Sequence, residues 1–134
     1  MEKRMSGLVD GSKRDPLTDR VIGSGIEVHR QLGPGLLESA YEECLCYELY
    51  TAGISFKRQV ALPVRYKEVR LDCGYRIDIV VEEKLIIELK TVEILQRVHD
   101  AQLLTYLKLS GIRTGLLMNF NSAVLKDGIR RLVL

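Results

Sequence analysis

Apolar positions change period several times along the chain, and each change marks an element. From Thr18 or Asp19, either of which can cap a helix, apolar residues recur at Val21, Ile22, Ile26, Val28 and Leu32. This helical spacing runs on through Gly23 and Gly25 and ends at Gly33-Pro34-Gly35. A second helix is predicted from Leu36 to Ala52, stopped at Gly53, with Leu37, Ala40, Tyr41, Cys44 and Leu45 on its apolar stripe and Glu42, Glu43 and Glu48 outside. Residues 54–66 then alternate. Phe56, Val60, Leu62, Val64 and Tyr66 form the expected buried side of one or two strands, Pro63 suggests an edge or a bulge, and Lys67-Glu68 reads as a turn. Further on, Val98, Ala101, Leu103, Leu104, Leu107 and Leu109 predict a helix to Ser110, stopped at Gly111. Thr114 to Phe120 suits a fully buried strand, and Gly128 to Leu134 a last short strand or helical end.

Between these parts lies YRIDIVVEEKLIIELKT, residues 75–91, two alternating runs on either side of Glu82-Glu83-Lys84. If Val81 pairs with Leu85, then Ile79 faces Ile87 and Ile77 faces Leu89, so one side is wholly apolar. A slip of one residue would turn these side chains to the wrong face, which pins the register. The same register sets Asp78 opposite Glu88, with Lys90 two residues beyond on the same side. Like charges facing across strands destabilise a sheet, and a shared divalent cation is a reason to tolerate them. A plainer alternative is a wet hairpin face on which Arg76 pairs diagonally with Glu88, and Lys90 with Asp78.

Length and composition narrow the class. The chain has 134 residues, 46% of them apolar and 28% charged, as in an ordinary soluble domain. Residues 1–16 read as a flexible polar arm and residues 17–134 as one domain. There is no apolar run of transmembrane length and no signal-peptide core, so a cytoplasmic protein without a membrane role is expected. The three cysteines close no disulfide framework; Cys44 and Cys46, about 200° apart on a helix, cannot hold one ion together and read as small packing residues. A net charge of +2 is compatible with a polyanionic partner without demanding one.

Three further positions stand near the chemistry. Glu38 shares a helix side with Tyr41, where a carboxylate needs a partner, although an acid in a first turn also meets the helix dipole favourably. Gln102 and Tyr106, four apart, stack on one helix face next to His99. His29 has no ligand set around it in the sequence, whereas His99 begins the helix that carries Gln102.

Asp78, Glu88 and Lys90, in an order of helix, strands, hairpin, helix and strand, resemble the PD-(D/E)XK nuclease superfamily. More narrowly, Gly35-Leu36-Leu37-Glu38-Ser39-Ala40-Tyr41 looks like the signature of the GxxExxY protein family within it, and the likeness covers about residues 18 to 134. The proline before the aspartate is absent, Ile77 standing there instead. The resemblance implies an α+β, restriction-endonuclease-like core with a mixed central sheet flanked by helices. It implies Mg²⁺, or Mn²⁺ in its place, held by Glu38, Asp78, Glu88 and the carbonyl of Leu89. Asp78, Glu88, Lys90, Gln102 and Tyr106 would carry catalysis. Apart from the resemblance, Arg76 beside Asp78, either to meet substrate or only to neutralise the acids, His99 near Gln102, and Tyr41 are the candidate substrate contacts. The implied activity is hydrolysis of phosphodiester bonds in nucleic acid, DNA foremost; assembly as a homodimer is compatible with the sequence. The alternative is a nucleic-acid or protein binding module that keeps the fold without turnover.

Overall fold

The structure is a computed structural model that describes residues 15–134; the expected arm, but for its last two residues, lies outside them. The elements are α1 (Pro16–Leu32), α2 (Glu38–Thr51), β1 (Phe56–Ala61), β2 (Val64–Tyr66), β3 (Val69–Leu71), β4 (Arg76–Val81), β5 (Leu85–Lys90), α3 (Arg97–Ser110), β6 (Thr114–Asn119), a 3₁₀ turn (Leu125–Gly128) and β7 (Ile129–Val133). The first helix begins earlier than its apolar spacing suggests. Asp15, not Thr18 or Asp19, is the N-cap, and its Oδ1 accepts the Thr18 N–H at 2.8 Å. Pro16 follows at the helix start, where its missing N–H would be unpaired anyway.

Five strands form one mixed sheet in the order β1-β4-β5-β6-β7. Only β5 and β6 run parallel, and α3 makes the crossover between them. α1 and α2 cover one face, burying Val21, Leu45 and Leu49 against Ile79, Ile87 and Leu116. α3 covers the other, where Leu103 and Leu107 meet Val80, Ile86, Leu117 and Leu132. Covered on both sides, β5 and β6 are almost continuously apolar rather than alternating. Gly25, a poor helix former, has a packing reason: a Cβ there would collide with the Met118 methyl of β6.

β2 and β3 stand apart as a two-stranded ribbon inserted between β1 and β4, pairing Val64 with Leu71, Arg65 with Arg70 and Tyr66 with Val69. Here one expectation fails. Tyr66 is 60% exposed, because after Pro63 the chain leaves the main sheet and neither helix layer reaches it.

Candidate active site

The central hairpin has the register that alternation predicts, Val81 with Leu85, Val80 with Ile86 and Ile79 with Ile87. One step further, side chains replace the ladder. The Leu89 N–H donates to Asp78 Oδ2 at 2.9 Å, and the Asp78 N–H donates to Glu88 Oε2 at 2.9 Å. The two carboxylates are therefore brought together at one end of the hairpin.

The pairing of β1 with β4 breaks at the same level. Arg58 pairs with Ile79 and Val60 with Ile77, while Gln59 between them takes a left-handed φ of 49°. Apolar side chains change sides across this break: Phe56 and Ile79 pack under α1 and α2, but Val60 and Ile77 pack under α3. The expectation that Ile77 lies beside Ile79 on one apolar face, opposite Leu89, is thus corrected. A left-handed residue re-aims the strand, as bulges next to active sites do.

Each helix layer brings polar groups to this end. On α2, Glu42 was expected outside but is buried, accepting from Arg58 Nε at 3.0 Å and from Gln59 Nε2 at 3.0 Å. The Gln59 amide also lies 3.4 Å from Asp78 Oδ1, so Glu42 holds the group that meets the aspartate. Glu42 follows Glu38 by four, and that helical spacing was the available signal for it. From the other layer, Lys90 Nζ donates to Gln102 Oε1 at 3.4 Å, and Gln102 Nε2 donates to the Tyr106 hydroxyl at 3.2 Å. A family model of the PD-(D/E)XK nuclease superfamily matches residues 15–132. The chain belongs to that superfamily. No curated protein and no solved structure matches it.

Within this PD-(D/E)XK domain the two acids are strained electrostatically. Burial first, then the charge of Asp78, pushes the Glu88 carboxyl up to about 8. Asp78 is also raised, by burial above all, against the Leu89 N–H bond that favours its charged form. Partial desolvation, then the Asp78 charge, raises Glu38; since that side chain is exposed to solvent, the charge is the firmer of the two causes. Tyr106 is raised by burial and then by the charges of Glu88 and Asp78.

The donor set fits a hard divalent cation. Two carboxylates that resist simultaneous ionisation offer only oxygen, as an ion ligated by one or two acids plus water and phosphate requires. Among the described residues no three His, Cys, Asp or Glu side chains come together closely enough to hold one ion. In this arrangement Glu38 is not close enough to the pair to share an ion with it, while its charge reaches Glu88.

The remaining expected contacts divide. Tyr41 is fully buried and stacks on Phe120 with ring centroids 4.6 Å apart; its hydroxyl donates to the Gly33 carbonyl and accepts the Leu36 N–H at 3.1 Å. It organises the Gly33 to Leu36 loop and, wholly covered, leaves no surface free for a substrate. His99 accepts the Gln96 N–H through Nδ1 at 2.9 Å, as part of the α3 capping box, and its imidazole is lowered by burial and then by Lys90. It is a cap at the edge of the site. Arg76 is exposed at the start of β4. His29 is buried with Nε2 2.8 Å from the Ser122 carbonyl, a packing role.

Proposed function

We propose that this chain is a Mg²⁺-dependent nuclease of the GxxExxY branch, cutting phosphodiester bonds in DNA in the cytoplasm, with Mn²⁺ able to replace Mg²⁺. Superfamily membership supports nuclease activity in general. The observation that carries the specific reading is the juxtaposed Asp78 and Glu88 pair, tied through the Asp78 and Leu89 N–H groups and both raised by burial, Glu88 also by the charge of Asp78, with Lys90 on the same strand as Glu88.

In this reading Asp78, Glu88 and the Leu89 carbonyl hold the cation, which when bound neutralises phosphate charge and makes a bound water more acidic. The Asp78 and Glu88 side chains are kept in place by backbone N–H groups, so their orientation is set before substrate arrives. Lys90 orients the attacking water or balances charge on the phosphate, and the Gln102 amide, braced by the Tyr106 hydroxyl, fixes its ammonium.

Cleavage assays on single-stranded and duplex DNA and on RNA, with Mg²⁺, Mn²⁺ or chelator, test the proposal. Asp78→Asn and Lys90→Ala should each lower the rate by at least 10²-fold while the protein stays folded by circular dichroism. Undiminished cutting by purified Asp78→Asn would remove the mechanism.

A further inference from the structure

The ribbon of β2 and β3 carries the same kind of anomaly as the acids, with the sign reversed. Arg65 and Arg70 face each other directly across it. Like charges so placed oppose strand pairing, and a two-stranded ribbon outside the main sheet has little packing with which to offset the repulsion. Arg76 at the foot adds a third cation, and Lys67 at the turn a fourth, its ammonium over the Tyr66 ring at 5.4 Å from the centroid. None of the four forms an ion pair with a carboxylate among the described residues, although Glu68 and Asp72 lie on the same segment, and the Asp72 carboxylate accepts the Gly74 N–H at 2.9 Å. All four are exposed.

The foot of the ribbon leads into the site. The Leu62 N–H donates to the Tyr75 carbonyl at 3.0 Å and closes the insertion three residues before Asp78. Tyr75 is 44% exposed and meets Tyr106 edge-on, centroids 6.1 Å apart, at the end of the chain of bonds from Lys90. An exposed aromatic beside a basic track is what an unpaired base needs, since in a duplex the base faces are already covered by their neighbours.

We propose that the ribbon is a strand-guiding element for single-stranded nucleic acid: Arg65 and Arg70 hold successive phosphates, and Tyr75 stacks the base nearest the acids. The inference rests on the proposed function for the direction in which the strand runs, towards Asp78 and Glu88. The opposite face of the ribbon, with Tyr66, Val69 and Leu71, takes no part in it.

The test is binding without turnover. Fluorescence anisotropy of a labelled oligothymidylate longer than about 16 nucleotides, and of the matching duplex, is measured with the full chain in chelator over a range of salt. The wild-type chain should prefer the single strand. Arg65→Ala with Arg70→Ala should reduce the slope of log affinity against log salt by about 1.4, because each neutralised phosphate of a single strand contributes about 0.7. The corresponding double change to Lys should keep the slope. Tyr75→Ala should weaken single-strand binding by about tenfold at every salt concentration, the order of one lost base stack. An unchanged slope in the double alanine variant, or a wild-type preference for duplex, overturns the assignment. A chain that binds in the stated way and never cuts supports the ribbon and sinks the nuclease reading.

Discussion

Glu88 has the most perturbed surroundings of the candidate acids. Its carboxyl titrates at about 8 in the metal-free protein, against 4.5 for an unperturbed glutamate, because burial and the neighbouring Asp78 disfavour its charge. The folded state therefore holds this proton over a pH range in which the unfolded chain has released it. Its contribution to stability is complete below about pH 4.5 and is lost as pH rises towards 8. Glu88→Gln cannot titrate and can still accept the Asp78 N–H. In chelator it should melt higher than the wild type at pH 8 by several degrees, about 1 kcal/mol being worth about 4 °C in a domain of this size, and the gap should close towards pH 5. Comparing the two proteins cancels His99, whose lowered imidazole acts in the opposite direction near neutral pH. A gap that does not change with pH would show that Glu88 is not held protonated. The acids were legible from strand alternation, whereas the burial that raises them was not, because it depends on helices far away in sequence.

At the scale of elements, the break shared by β1 and β4 decides where Asp78 points. Gln59 adopts its left-handed conformation at the level where strand pairing fails, and Glu42 from α2 holds its amide. Glu42→Ala should cost about 1–2 kcal/mol, the low end for a charged hydrogen bond, since the Arg58 it releases is partly exposed and can regain water. Its larger effect should be on the site: Mn²⁺ affinity by calorimetry should fall at least several-fold, and Glu42→Gln should recover much of it. Equal Mn²⁺ affinity in wild type and Glu42→Ala would mean that the clamp does not position Asp78. Periodicity identified the hairpin because Val80, Val81, Leu85 and Ile86 report their faces locally. It failed at Ile77, which changes sides at a kink bound to another element. The ribbon was misread for a related reason: Val64 and Tyr66 continue an apolar alternation after the chain has left the sheet that would bury them.

For the whole molecule, the cation site proposed at the hairpin end would couple metal binding to folding. A cation that binds only the folded arrangement of Asp78 and Glu88 stabilises the protein by mass action, by about 2.7 kcal/mol at a hundredfold excess over its dissociation constant. Melting temperature should therefore rise with Mg²⁺ or Mn²⁺ concentration, and Asp78→Asn should abolish the rise. A melting temperature indifferent to both ions at millimolar concentration would leave a domain of nuclease fold without a metal centre. No helix among the described residues is long and apolar enough to cross a membrane.

The order of the helices and main-sheet strands, the hairpin register from Val81 and Leu85 to Ile79 and Ile87, and the meeting of residues 78 and 88 were determined by the sequence alone, because they follow from side-chain period and chain connectivity over a few residues. The convergence of α2, α3 and the hairpin on one end of the sheet, the complete burial of Tyr41, the Glu42 and Gln59 clamp, and the exposure of the Arg65 and Arg70 ribbon were decided only by the tertiary structure. Each depends on which distant surface covers a residue or leaves it open to water, and local periodicity carries no record of that.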